Sequence, residues 1–228
     1  MSKSFNPSLR AATALLLCSL VVGCAAPPVR YDYSALRAAK PSSILVMPPQ
    51  NQSPDVKASN SVWAQAIVPL AESGYYVLPV SLVAETLREN GLHHAAEAAQ
   101  ADLKKLHAFF GADAALYIDV LQYGTSYKII ASDTTVTVEG RLVDLRSGQL
   151  LWQGKATASS AEQQQSSGGG LVGLLVKAVV NQIVQSATDA AHPMAAMANQ
   201  RLLGAGRPAG LLYGPRSPHF GKEAVATP

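Results

Sequence analysis

Chemistry in this chain begins at one thiol. Cys24 closes the run Leu20-Val21-Val22-Gly23-Cys24, and a cysteine behind a small residue at the end of an apolar stretch suits lipid modification on sulfur followed by cleavage in front of it. Lys3 and Arg10 precede an apolar stretch from Ala11 to Val22. At about a dozen residues it is shorter than the ~20 that a spanning helix needs, so it reads as a signal peptide. Cys18 follows bulky Leu17 and makes the poorer processing site. Several acyl chains on Cys24, at about 0.8 kcal/mol per buried methylene, would anchor the chain durably to a leaflet.

The remaining reactive residue types make no comparable pattern. Neither the adjacent pair His93 and His94 nor His107, His192 or His219 has a histidine or cysteine partner at i, i+4, so no metal site is expected. No Gly-x-Ser-x-Gly elbow marks a nucleophilic serine, and no cofactor is implied. Asp119, inside an otherwise apolar run, is the one carboxylate that burial would push toward its neutral form, unless a lysine or a backbone donor pairs with it. Ser166-Ser167-Gly168-Gly169-Gly170 resembles a phosphate cradle but lacks the Gly-Lys-Ser/Thr ending of a nucleotide loop, which favours a flexible hinge. Removing residues 1–23 from the 228 leaves 205, enough for one domain with a substantial core. It also takes away Cys18, Lys3 and Arg10. The mature chain then holds no second cysteine for a disulfide, and its net charge drops from +3 to near +1, which gives nucleic-acid binding no support.

The elements that would position any site follow from periodicity. Residues 24–43 are interrupted by Pro27, Pro28 and Pro41 and read as a membrane tether. Ile44-Leu45-Val46-Met47 is a short apolar run stopped by Pro48, as for a strand buried on both faces. Trp63, Ile67, Leu70 and Ala71 recur at helical spacing up to Gly74, and Tyr75 to Val80 is a second strand, completing a βαβ unit. Helices are expected from Ser81 to Asn90 and from Ala95 to Phe110, each ended by glycine, followed by a strand from Ala114 to Leu121. From Thr134 the period becomes two, with Val136, Val138 and Leu142 on one side and Gly140 as a bulge position. A turn at Arg146-Ser147-Gly148-Gln149 returns the chain at Leu150. The expected fold is therefore α/β: one layered domain, 44–203, whose mixed sheet is parallel in its first half and an antiparallel hairpin in its second, packed by helices. Residues 204–228 form a Gly- and Pro-rich tail that keeps order only by docking.

Beyond Gly170 a long apolar helix is expected, with Pro193 kinking or splitting its continuation. Leu171, Leu174, Leu175, Ala178, Val179 and Ile183 make one stripe, and Val172, Val176, Val180 and Val184 make a second at i, i+4 spacing. Two apolar faces exceed what docking on a sheet demands. Either the helix is wholly core, or the second stripe binds a partner, another copy in a homodimer, or the bilayer surface.

Taken together, Ser43-Ile44-Leu45-Val46-Met47-Pro48-Pro49, Pro69 to Val77, Phe110-Gly111-Ala112-Asp113-Ala114, Leu142-Val143-Asp144-Leu145-Arg146 and Gly210-Leu211-Leu212-Tyr213-Gly214-Pro215 resemble the GNA1162-type lipoprotein family, a domain of unknown function. The resemblance spans nearly the whole mature chain. It implies an α/β domain similar to the N-terminal domain of the TolB translocation protein, and a non-enzymatic accessory of the cell envelope. The partners it implies are envelope lipoproteins of the curli-secretion-channel type; a carrier of lipid or small molecules is the alternative. It brings no catalytic residue to carry over. Ala25, in place of an aspartate after Cys24, resembles lipoproteins sorted to the outer membrane, on its periplasmic face.

Overall fold

A computed structural model describes residues 31–127, 132–165, 189–207 and 210–222. In chain order the elements are α1 (Ser34–Ala39), β1 (Ser43–Val46), β2 (Gln50–Asn51), α2 (Ala58–Glu72), β3 (Tyr76–Val77), α3 (Val80–Glu89), α4 (Ala95–Ala98), α5 (Leu103–Phe110), β4 (Ala114–Tyr127), β5 (Ser132–Asp144), β6 (Leu150–Ser159), α6 (Ser160–Gln165) and α7 (Ala191–Leu203). They form one mixed sheet in the order β3-β1-β4-β5-β6, with β2 also on β4. β1 runs parallel to β3 and β4, whereas β4, β5 and β6 are antiparallel. This is the layered α/β domain that the periodicity predicts.

The apolar run of β1 is buried because sheet neighbours flank it and helices cover it: Ile44, Leu45 and Val46 are wholly inaccessible to solvent. Trp63 of α2 reaches over this strand and donates its indole N–H to the Val46 carbonyl at 2.9 Å. α7 packs against α2, β5 and β6 and buries Met194, Ala198, Leu202 and Leu203. Period two places Val136, Val138 and Leu142 of β5 in the core, as alternation on a pleated strand requires.

Several local expectations are corrected. The helix expected over Ala95 to Phe110 is two, because Asp102 accepts the Lys105 N–H at 2.9 Å and restarts the helix as its N-cap. The second strand contracts to Tyr76–Val77. The long helix expected to kink or split at Pro193 lies mostly outside the described residues, and Pro193 itself falls in α7. It lies in the first turn, where a missing N–H removes no helical bond. Gly140 is no bulge, since it pairs in regular register with Ile118 and with Gly154. The irregularities fall at Val120/Gln122 and Leu142/Val143. The two paired glycines instead make a notch. A Cβ on Gly140 would lie 3.2 Å from Leu202 Cδ2, and one on Gly154 would lie 2.5 Å from Trp152 Cζ2. Here the absence of side chains lets α7 and the Trp152 ring settle on the strands.

Residues 31–42, expected to belong to the tether, are docked. Leu36 of α1 is buried in the main core, and Tyr31 and Tyr33 stack with centroids 4.6 Å apart. The Tyr31 hydroxyl accepts the Gln153 N–H of edge strand β6 at 2.7 Å. Farther along the same edge Arg201 donates to the Thr157 carbonyl, and Glu162 accepts the Ser159 N–H at 3.2 Å. Three backbone groups that could otherwise pair with another strand are thus taken by side chains of the same chain.

Candidate functional site

Cys24 and the stripe Val172, Val176, Val180 and Val184 lie outside the described residues. Asp119 sits on β4 with a guanidinium nitrogen of Arg141, from the neighbouring strand, 3.9 Å from its carboxylate. His94 caps α4, and His107 holds the Ala112 carbonyl at 2.8 Å through Nδ1. No group of three or more metal-ligating side chains occurs among the described residues.

The described aspartates that are best supplied with hydrogen bonds hold the fold. Asp113 Oδ2 accepts the N–H and hydroxyl of Ser42 at 3.0 and 2.8 Å and those of Ser43 at 3.1 and 3.0 Å. Arg146 approaches Oδ1 at 3.2 Å and also donates to His107 Nε2 at 3.3 Å. This carboxylate ties the entrance of β1 to that of β4. Burial pushes its pKa up, but the four serine hydrogen bonds outweigh that and hold it below the usual range. Asp133 and Asp144 are lowered for the same balance of reasons, by Ser159, Ala161, Thr135 and Ser160 and by Ser147 and Arg146 respectively. Groups held this firmly in the anionic form are poor proton donors at neutral pH.

Four residues from three distant stretches of the chain do meet. His192 Nδ1 lies 2.8 Å from the Ser61 hydroxyl. Tyr123 donates to both carboxylate oxygens of Asp189, at 3.2 Å each, and lies close to Ser61. Burial pushes the Tyr123 phenol up to about 12, and the charge of Asp189 acts the same way. The carboxylate therefore orients the tyrosine and not the histidine. The arrangement differs from a nucleophile–base–carboxylate triad, in which the acid holds the imidazole. It joins α2, β4 and the start of α7, and single-residue motifs gave no sign of it.

Two grooves open on the surface of the described residues. One, about 620 Å³, lies between α3 and α5 and is lined by Leu87, Leu92, Leu106, Phe109 and Phe110, with Lys105 at its edge. Phe109 is 66 % exposed, and Leu82 on α3 is 61 % exposed. The other, about 410 Å³, is built by the C-terminal segment as it docks beside α1. The Gly214 N–H donates to the Ser73 carbonyl at 2.8 Å and the Arg216 N–H to the Gly74 carbonyl at 3.1 Å. Leu211 is buried, and Tyr75 and Tyr33 donate to the Leu212 and Gly210 carbonyls at 2.8 and 2.7 Å. The approach needs glycine on both sides. A Cβ on Gly214 would lie 2.5 Å from the Gly74 oxygen, and one on Gly74, whose φ is +92°, 2.5 Å from the Ser217 nitrogen. Sequence reading found both Gly74 and the Gly210 to Pro215 segment but not that the two meet.

These features define an α/β layered domain that offers grooves at its surface and spends its best-bound aspartates on its own backbone. The chain belongs to the family described as "Putative lipoprotein GNA1162-like", whose profile matches residues 31–216. It is 47 % identical over 186 residues to the "Putative lipoprotein NMB1124/NMB1162" of Neisseria meningitidis serogroup B, a match covering 82 % of this chain and 86 % of that one. It is also similar to the crystal structure of lipoprotein GNA1162 from Neisseria meningitidis, at 49 % identity and a TM-score of 0.51, over 64 % of this chain and 99 % of that chain. A looser likeness, at 15 % identity and a TM-score of 0.38, joins 53 % of the chain to 73 % of a PelC subunit from a dodecamer of Paraburkholderia phytofirmans. That likeness identifies no site. Family membership makes this a membrane-anchored lipoprotein of the cell envelope. No helix among the described residues is long and apolar enough to cross a membrane.

Proposed function

We propose that the protein is a non-enzymatic binding module of the outer membrane, held at the periplasmic face by lipid on Cys24 and engaging another envelope lipoprotein of the curli-secretion-channel type. The α3–α5 groove carries this reading: a large aromatic ring two-thirds exposed beside an apolar trough is costly in water and is the usual mark of an interaction surface. The second valine stripe, Val172 to Val184, supplies a further contact, to the partner or to another copy. A carrier of lipid or small molecules is the second reading, because the same groove has a volume suited to such a ligand.

Crosslinking and pull-down from intact envelopes separate these readings. Phe109→Ala with Leu82→Ala should abolish capture of the partner while leaving the melting temperature within about 2 °C, since neither side chain is core. Capture that survives the double change refutes the groove as the docking surface, and lipid that copurifies with the parent protein and is lost with the double change favours the carrier. Cys24→Ser should release the protein from membrane fractions, and unchanged fractionation removes the anchor.

A further inference from the structure

We infer that the face around the groove between α1 and the C-terminal segment docks on anionic phospholipid headgroups, as an electrostatic contact beside the acyl anchor. This rests on the proposed lipidation of Cys24, because that lipid sets which part of the domain meets the leaflet.

Reach is the first argument. Cys24 precedes Tyr31 by seven residues, which span at most ~25 Å when fully extended. A domain of this size is about 40 Å across. The end of the domain that bears Tyr31 and α1 is therefore held near the headgroups, and the opposite side is kept away.

Charge is the second. Arg37 and Lys40 line the groove, and no carboxylate lines it. The docked segment adds exposed Arg216 and Lys222, with His219 between them and no acid from 210 to 222. Across residues 31–42, Asp32 is the one carboxylate. It accepts the Ser34 N–H at 2.8 Å. Lys40 takes a left-handed backbone, φ 46°, and its N–H closes the helix on the Leu36 carbonyl at 3.0 Å. The end of the helix thereby fixes the backbone position from which the Lys40 side chain reaches the groove.

The apolar surface on this face is of the kind that sits at headgroup level. Phe220 lines the groove and is 39 % exposed, and Tyr76, 47 % exposed, lies under the Arg216 guanidinium at 5.1 Å from the ring centre. Aromatic rings next to arginine and lysine favour the membrane interface over water, and basic residues near an anionic leaflet each strengthen binding about fivefold.

The test uses the native lipidated protein in vesicles of pure phosphatidylcholine or of phosphatidylcholine with about a third phosphatidylglycerol. Flotation with the neutral vesicles reports the acyl anchor alone. Amide hydrogen exchange within 34–40 and 211–222 reports headgroup docking. Exchange there should slow several-fold in the anionic vesicles, and both high salt and Arg37→Gln with Lys40→Gln should abolish the slowing. Equal exchange in the two vesicle types overturns the proposal, as does slowing that persists in the double variant. If the protein fails to float with neutral vesicles yet floats with anionic ones through Arg37 and Lys40, the anchor reading falls and the headgroup contact stands.

Discussion

Gly214→Ala puts the architecture of the C-terminal segment to a direct test. The new Cβ would stand 2.5 Å from the Gly74 oxygen, 2.8 Å from its carbonyl carbon and 2.9 Å from Tyr75 Cδ1, so it meets mostly backbone that has no rotamer to give. Forcing an extra methyl into a filled contact costs about 1–3 kcal/mol. For a domain of this size, with about 2–4 °C per kcal/mol, the melting temperature should fall by roughly 2–12 °C. The cost is expected to be met locally by release of the segment, since the bonds from Gly214 to Ser73 and from Arg216 to Gly74 lie at the point of collision. Hydrogen exchange at those two amides, with proteolysis near Arg216, is the assay. Gly91→Ala serves as the control: its φ of +79° carries strain of about 1–2 kcal/mol, but a Cβ there meets nothing within 4 Å. If Gly214→Ala retains full protection at 214 and 216 and melts like the parent, the glycine contact does not hold the segment.

Two other perturbations follow from the same structure. Asp113, Asp133 and Asp144 all have folded pKa values below the ordinary carboxylate value near ~3.9, so the stability they contribute is complete above that value and is lost as pH falls through the lower folded ones. Urea denaturation should therefore be nearly flat above about pH 5 and weaken below about pH 4, by at most ~1.4 kcal/mol per pH unit for each group, and Asp113→Asn should flatten part of that slope. Gly154→Ala should destabilise by about 1–3 kcal/mol by driving a methyl into the buried Trp152 ring, with a changed near-ultraviolet dichroism of that ring; an unchanged spectrum and stability would show that the notch has slack.

The frame of the fold was legible because it rests on periodicities that burial imposes. The run Ile44 to Met47, the alternation from Val136 to Leu142 and the turn at Gly148 all fall where the sequence places them. Features that depend on distant residues were not. Gly140 reads as a bulge from its own strand, and only Gly154 opposite it, with Leu202 from α7, shows that it is a seat for packing. The break before α5 was hidden because Asp102 lies within a run of good helix formers, and its capping bond to Lys105 depends on backbone geometry. In the candidate sites, Lys40, Tyr75 and Phe220 are brought to one groove because residues 31–42 and 210–222 dock beside one another, a proximity no local pattern encodes.

The covered edge of β6 bears on life at a surface. Anchoring confines copies of a protein to two dimensions, where encounters are frequent and a bare strand edge would be joined by its neighbour's. Tyr31, Glu162 and Arg201 each take one backbone group of that edge, while β3 at the other end is only two residues long. A neighbouring molecule thereby finds an interrupted backbone template at one end of the sheet and a very short one at the other, which favours contact through side-chain surfaces. Dense lateral packing can then coexist with reversible association.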